Sequence, residues 1–170
     1  GYQIFSVTAD GFSGIKTAFY GIPYQMCHVH MERLVIQGTT RKPKLEAGMV
    51  LLALIRTIHT SKQQLFMQRL CMYMTKYREF LNHKSAALVS GETFWTHEQL
   101  RRAVMSLERL TPYLFTFERN SNIPKTTNAL EGHFGHVNEI IAIHRGLSRS
   151  QKEKVIHTIL LASTIAPKDK

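Results

Sequence analysis

Cysteine and long apolar runs are both scarce in this sequence. The two cysteines among 170 residues, Cys27 and Cys71, are too few for a disulfide framework, so we expect reduced thiols. The longest apolar run covers residues 49–55, which is too short to cross a bilayer, and no charged-then-apolar signal segment opens the chain. The sequence therefore predicts a soluble, cytoplasmic protein with no membrane partner.

Acidic residues are scarce as well. Twelve Asp and Glu stand against 22 Lys and Arg, which gives a formal charge of +10 and a pI near 9.9. Such a surplus is typical of nucleic-acid-binding proteins, because each phosphate neutralised by a cation releases condensed counterions. The hydrophobic fraction of 44% and the charged fraction of 20% are ordinary for a globular domain and exclude a disordered chain.

The beginning of the sequence predicts a β-α-β unit. Residues 2–9 are rich in β-branched and aromatic types and end at Asp10-Gly11, a pair that commonly stops a strand. Residues 12–20 predict a short helix that Gly21 closes, and residues 23–29 predict a second strand.

From residue 45 the pattern becomes helical. Helices are predicted over residues 45–59 and 61–82, and the second has an apolar stripe at helical spacing: Phe66, Leu70, Tyr73, Tyr77 and Leu81. Capping boxes at Ser61-x-x-Gln64 and Thr96-x-x-Gln99 predict two helix starts, with a loop over residues 84–91 between them.

The last third begins with an aromatic run at residues 112–118, which predicts either a short strand or a buried segment. After a turn-rich loop at residues 120–125, Asn128-x-x-Glu131 predicts the start of a helix that ends at Gly146. A capping box at Ser148-x-x-Gln151 predicts the start of the final helix.

Two carboxylates are candidates for chemistry. Asp10 follows a hydrophobic strand, and the carboxyl ends of parallel strands are where α/β proteins place their active sites. Its oxygens suit Mg²⁺, which usually takes one or two protein carboxylates. Glu131 is the second candidate. Each residue also has a purely structural interpretation, Asp10-Gly11 as a turn and Glu131 as the partner of Asn128 in a capping box.

Four segments in order resemble one family. Thr8–Gly11 reads T-A-D-G, Gln25-x-Cys27-x-x-His30 follows, T-T-N-A-L-E-G ends at Gly132, and R-G-L-S starts at Arg145. This ordered set resembles the mutator-like DDE transposases of bacterial insertion sequences. The resemblance implies a partial RNase H-like α/β fold that is mostly helical, with core segments 1–44 and 111–170 and a large all-α insertion at residues 45–110.

The resemblance also implies roles for individual residues. Asp10 corresponds to the second catalytic Asp, Glu131 to the catalytic Glu, and Cys27 and His30 to a motif near the site. The family's first Asp would lie on a strand upstream of Gly1. We therefore expect this chain to be the C-terminal part of a transposase catalytic domain and to have little or no activity alone.

The chemistry implied by the resemblance is metal-dependent phosphoryl transfer. Two Mg²⁺ or Mn²⁺ ions, held partly by Asp10 and Glu131, would stabilise the attacking and leaving oxygens of an in-line displacement. Water would first cut a strand at a transposon end, and the released 3′-hydroxyl would then attack target DNA. The implied partners are transposon-end and target DNA, together with further copies of the chain in a homo-oligomer assembled on DNA.

Several residues are candidate DNA contacts. Four cations lie near the proposed site in the sequence: Lys125, Arg145, Arg149 and Lys152. They predict salt-sensitive binding that is largely independent of sequence. Trp95, the single tryptophan, could stack on a flipped base, but its spacing to Leu100 favours a hydrophobic staple at a helix start.

Two alternatives remain open from the sequence. The chain could be a truncated or repurposed remnant that binds DNA or partner subunits without catalysis. It could also be a small zinc-stabilised module, because C-x-x-H is half of a zinc site and the spacing H-x-x-H puts two imidazoles on one helical face. The four ligands would be Cys27, His30, His133 and His136. Without zinc, Cys27 and His30 are expected to hydrogen-bond and pack near the first strand.

Overall fold

The computed structural model describes residues 3–143 and 146–165. This part of the chain is mostly helical with two small two-stranded sheets, which agrees with the α/β class. None of its helices is long and apolar enough to cross a membrane. The chain divides into two compact units, Gly1–Thr127 and Asn128–Lys170.

The first unit opens with the predicted β-α-β order: β1 is Val7–Ala9, α1 is Ser13–Ala18 and β2 is Tyr24–Met26. The two strands are parallel, with Thr8 opposite Gln25. Both strands are shorter than predicted. Pairing begins where the Val7 N–H donates to the Pro23 carbonyl, and Pro23 has no N–H with which to extend the ladder towards residue 5.

Helix α2, His28–Thr39, was not predicted from the sequence. The second strand was expected to continue to residue 29, but it stops at Met26, and Cys27 takes the position before the helix in an extended conformation. The buried positions of α2 recur every three or four residues, at His28, Met31, Val35 and Thr39. Two of these four are polar, which makes the helical pattern weak when only apolar residues are counted.

Four short elements follow: α3 is Glu46–Arg56, a 3₁₀ turn covers Thr57–His59, α4 is Gln63–Lys76 and α5 is Arg78–Leu81. The predicted stripe is confirmed as core, since all five of its side chains are at most 7% exposed. The helix predicted over residues 61–82 is nevertheless interrupted at Tyr77.

The predicted capping box at Ser61 is wrong. Helix α4 begins at Gln63, and Lys62 at the position before it makes no side-chain capping bond. The Gln63 backbone N–H instead donates to the Glu118 carboxylate at 2.7 Å. A carboxylate 55 residues away therefore caps the helix and complements its positive N-terminal end.

A β-hairpin replaces the loop predicted over residues 84–91. Strands β3, Lys84–Ala86, and β4, Thr93–Trp95, pair antiparallel, with Lys84 opposite Trp95. The predicted capping role of Thr96 is also wrong, because its hydroxyl lies 2.8 Å from His83 Nδ1 and 2.7 Å from the Ser85 hydroxyl. The next helix begins at Glu98, so Trp95 is not the staple residue of its first turn.

Helix α6, Glu98–Leu114, crosses the boundary predicted at residue 110 and ends in a 3₁₀ turn, Thr116–Glu118. The aromatic run at residues 112–118 is therefore helical rather than a strand, and Pro112 lies inside the last turn of α6. The buried side chains of α6, which include Leu100, Val104 and Leu107, recur at helical spacing and face the core.

The hydrophobic core of the first unit centres on α6, which packs against α2 and β2. Helices α2 and α6 approach closely at Gly38. A Cβ at that position would lie 2.7 Å from the Gln99 carbonyl oxygen and 2.6 Å from the Ala103 Cβ. The core cluster extends from Ala9 to Phe115, so the helical middle of the chain and the β-α-β opening share one core.

The second unit holds α7, Asn128–Ile143, and α8, Arg149–Ile165. The start of α7 agrees with the prediction within one residue, since Asn128 is its first helical residue. The capping box at the start of α8 is confirmed: the Ser148 N–H donates to the Gln151 side chain at 2.8 Å, and the Gln151 N–H donates back to the Ser148 hydroxyl at 3.4 Å.

Candidate functional site

Asp10 lies at the carboxyl end of β1, exposed to solvent. Its Oδ1 accepts a hydrogen bond from the Phe12 N–H at 3.1 Å. This is an Asx turn, in agreement with the interpretation of Asp10-Gly11 as a turn. Gly11 follows with φ of 91°, a conformation that glycine adopts without strain. The turn holds the carboxylate at the sheet edge and is compatible with a role as a ligand.

Tyr24 on the neighbouring strand supports this turn. Its hydroxyl accepts a hydrogen bond from the Gly11 N–H at 2.9 Å. Burial raises the pKa of Tyr24, and the negative charge of Asp10 acts in the same direction, whereas the bond from Gly11 opposes them. Tyr24 therefore remains a neutral phenol that fixes the backbone next to Asp10.

Cys27 and His30 come together as predicted. Cys27 is fully buried at the end of β2, and its N–H donates to the Ala9 carbonyl at 2.8 Å, directly before Asp10. Burial alone would raise the pKa of the Cys27 thiol, but hydrogen bonds from Thr127 and from both the backbone and the side chain of His30 outweigh it and lower the pKa. The sulfur is thus an acceptor in a small polar cluster.

The loop before α7 is attached to the same sheet edge. The Thr8 hydroxyl donates to the Pro124 carbonyl at 2.9 Å, and the His28 N–H donates to the Lys125 carbonyl at 3.0 Å. The N–H and the hydroxyl of Thr127 both lie 3.4 Å from the Cys27 sulfur. Three segments that are about 20 to 120 residues apart in the sequence therefore meet at the carboxyl ends of β1 and β2.

Glu131 is exposed in the first turn of α7, four residues after Thr127 in the sequence. It belongs to the second compact unit, whereas Asp10 belongs to the first. No group of three or more His, Cys, Asp or Glu side chains within residues 3–143 and 146–165 is arranged to hold a metal ion.

The candidate DNA contacts have different surroundings. Lys125 is exposed, with its Nζ 4.3 Å from the centroid of the Phe117 ring. Arg149 bonds Glu153 one turn along α8 at 3.1 Å, and Lys152 is exposed on the same helix. Arg145 lies outside the described residues.

Trp95 is half-buried at the end of the hairpin. The Lys84 ammonium lies 4.4 Å from the centroid of its ring and the Arg101 guanidinium carbon 4.2 Å, so two cations contact the indole. A base that stacked on Trp95 would have to share the ring with these cations.

Sequence reasoning missed two buried polar side chains behind the sheet edge. Gln25 Nε2 donates to the carbonyls of Leu114 and Met26 at 2.9 and 2.8 Å, and its Oε1 accepts from the Phe117 N–H at 3.0 Å. His28 Nε2 lies 2.7 Å from the same Leu114 carbonyl. Their positions could have indicated that both side chains are buried, because Gln25 lies in an apolar strand and His28 comes shortly after it.

No protein-family model matches the chain, and no curated protein or solved structure is significantly similar to it.

The stability of the protein is expected to fall on acidification through the titration of His28. Burial lowers the pKa of His28, with smaller contributions from His59 and Lys125, while the bond to the Leu114 carbonyl opposes the shift. The unfolded chain therefore binds a proton near pH 6.5, where the folded chain does not. The free energy of unfolding should decrease below about pH 6.5, by at most about 1.4 kcal/mol per pH unit for this one group.

Urea unfolding between pH 8 and pH 5 checks this expectation. In His28→Gln, which retains a donor for the Leu114 carbonyl, the decrease should be shallower than in the wild type. His157→Gln, at an exposed position of α8, is the matched control and should leave the slope unchanged. Equal slopes in all three proteins would contradict the role assigned to His28.

Proposed function

We propose that this chain is part of the catalytic domain of a DNA transposase that cuts and joins DNA with the help of divalent metal ions. One observation carries the proposal: the segments around Asp10, around Cys27 and before Glu131 contact one another at a single sheet edge. These are three of the four segments whose order resembles the mutator-like family. Contacts between residues so far apart are not expected if each motif is a separate turn or helix cap.

The architecture is compatible with part of an RNase H-like core. A parallel strand pair ends at Asp10 and Cys27, and a long helical region separates it from the helix that bears Glu131. In the proposed domain, further strands would lie beside β1 and carry the first catalytic Asp. Ile4 and Phe5, which precede β1, are exposed in the present chain and would be covered in that arrangement.

The donor chemistry fits Mg²⁺ or Mn²⁺. Both candidate ligands are carboxylates, Asp10 is exposed and held by a turn, and Glu131 is exposed in the first turn of its helix. Hard divalent cations prefer such oxygen ligands and often use only one or two protein carboxylates. When bound, the ions would stabilise the charge on the attacking and leaving oxygens of the phosphoryl transfer.

The other residues of the proposed site would hold the backbone near the two carboxylates in place, and the positive charge of the first unit would attract DNA. The hydrogen bonds of Cys27 with His30 and Thr127 would fix the loop before α7 against the strand ends. Tyr24 would hold the turn of Asp10. The first unit carries 16 Lys and Arg against eight Asp and Glu, a net charge of +8, which would attract transposon-end and target DNA. Homo-oligomers of the intact protein would assemble on that DNA.

Paramagnetic broadening by Mn²⁺ tests whether Asp10 and Glu131 share a site. In NMR spectra of the labelled protein, low concentrations of Mn²⁺ should broaden the amides of Gly11 and Gly132 together. Asp10→Asn and Glu131→Gln should each abolish the broadening at both glycines, because each removes a ligand of the same ion. Glu139→Gln, at another exposed carboxylate of α7, is the control and should leave both signals broadened.

Two results would contradict the proposal. Broadening at only one glycine, or broadening that each variant removes only at its own residue, would mean that the carboxylates do not act together. If the protein then still bound DNA, the non-enzymatic DNA-binding remnant would be the better description.

A further inference from the structure

A short basic loop joins α2 to α3. Residues 40–45 read T-R-K-P-K-L, and Arg41, Lys42 and Lys44 are all exposed. The next carboxylate in the sequence, Glu46, is bound by Lys76 and by the Tyr77 hydroxyl, each at 2.8 Å. Within the described part of the chain, no carboxylate pairs with any of the three cations.

The backbone of this basic loop is held at its start and in its middle. At its start, Thr40 has φ of 72° and ψ of 167°, a conformation that residues other than glycine rarely adopt, and its N–H donates to the Ile36 carbonyl at 2.7 Å. The Thr39 hydroxyl bonds the carbonyls of Val35 and Thr40 at 2.9 and 3.1 Å. These bonds fix the direction in which the chain leaves α2.

Pro43 holds the middle of the loop against α3. A Cβ on Gly48 in the first turns of α3 would lie 3.0 Å from the Pro43 Cβ, so the proline ring rests directly on the helix. The ring also restricts φ in the middle of the basic segment. Binding a ligand here would therefore order three side chains but little backbone, which lowers the entropic cost of association.

We infer that the basic loop is a phosphate-contacting surface for duplex DNA, separate from the sheet edge that bears Asp10. Three cations within four residues span at most about 11 Å of chain, a length that covers neighbouring phosphates of one strand. Their side chains would bind backbone phosphates and leave the bases unread, so the contact adds affinity without sequence preference. This inference rests on the proposed function in taking DNA as the partner.

Salt-dependent binding to a short DNA duplex of random sequence tests it. In a variant that combines Arg41→Gln, Lys42→Gln and Lys44→Gln, binding should weaken at least about tenfold at moderate salt. The slope of log K against log salt should become shallower by about 2 to 3, since each neutralised phosphate contributes about 0.9. Thermal unfolding of the variant should match that of the wild type, because the three side chains are exposed.

The matched control removes the same charge elsewhere. This control variant combines three substitutions at exposed positions outside the basic loop: Arg69→Gln, Arg109→Gln and Arg119→Gln. This control variant should retain most of the affinity and slope. Equal losses in both triple variants would overturn the inference and leave only a general effect of net charge, as would a loop variant that binds like the wild type. Failure of the wild-type protein to bind DNA at all would instead refute the proposed function, and with it the partner.

Discussion

Gln25→Ala is expected to lower the free energy of unfolding of the first unit by about 3 kcal/mol or more. The Gln25 side chain is fully buried and makes three hydrogen bonds, to the Leu114 and Met26 carbonyls and from the Phe117 N–H. Alanine would leave a buried N–H and at least one buried carbonyl without this partner, at about 1–3 kcal/mol for each group, and would add a cavity.

Urea unfolding followed by circular dichroism measures this loss. Gln37→Ala, at an exposed position of α2, is the matched control and should change the free energy of unfolding by less than about 0.5 kcal/mol. A loss below about 1 kcal/mol in Gln25→Ala would show that the bonds of Gln25 to Leu114 and Phe117 do not hold β2 to the end of α6 and to the 3₁₀ turn that follows it.

Gly38→Ala should destabilise the protein by about 2–3 kcal/mol, although alanine normally favours a helix. The added methyl would lie 2.7 Å from the Gln99 carbonyl oxygen, which is backbone and cannot rotate away. Helices α2 and α6 would have to separate where their packing is most extensive, and such overpacking typically costs about 1–3 kcal/mol.

The same substitution at Gly135 gives the control with the opposite sign. Gly135 lies within α7, and apart from its two chain neighbours and the nearby backbone of its own helix, no heavy atom in the described part of the chain comes within 4 Å of a Cβ placed there. Gly135→Ala should therefore raise stability by up to about 1 kcal/mol through helix propensity. If Gly38→Ala were also stabilising in thermal unfolding, the close approach of α2 and α6 would be refuted.

Features that depend on local sequence were predictable. The β-α-β opening follows from composition and turn signals, and the start of α8 follows from a capping box whose two members lie three residues apart. The stripe from Phe66 to Leu81 is buried because its spacing matches the helical repeat even where the helix is interrupted. The contact between Cys27 and His30 was expected from their C-x-x-H motif, although the structure forms it at the start of α2, a helix that the sequence did not predict.

Features that depend on distant partners were not predictable. Helix α4 is capped by Glu118, and Thr96 bonds His83 and Ser85 rather than the helix that follows it. Helix α2 buries His28 through the Leu114 carbonyl, 86 residues away, so its polar inner face gave no apolar pattern. The run at residues 112–118 gave no helical pattern, yet α6 includes Pro112 in its last turn, where the missing N–H removes a single helical bond.

Contacts between distant segments also limit what the sequence can predict about the candidate site. The sequence placed Asp10 at the end of a strand and predicted the contact between Cys27 and His30, but it gave no reason to expect that Thr8 and Thr127 attach the loop before α7 to the strand ends. Nor did it indicate that the side chains of Gln25 and His28 would both bond the Leu114 carbonyl. These residues become visible only when segments about 90 to 120 residues apart are brought together.

Because α6 packs against several parts of the first unit, it limits which segments of such a protein can be gained or lost during evolution. Helix α6 packs against α2, against β2 and against the 3₁₀ turn Thr116–Glu118, so the helical middle of the chain cannot be gained or lost as an independent unit. Deleting residues 45–110 would remove most of the core on which the β-α-β opening rests. Length variation among descendants should instead accumulate at the hairpin tip, where Leu88 and Val89 are fully exposed.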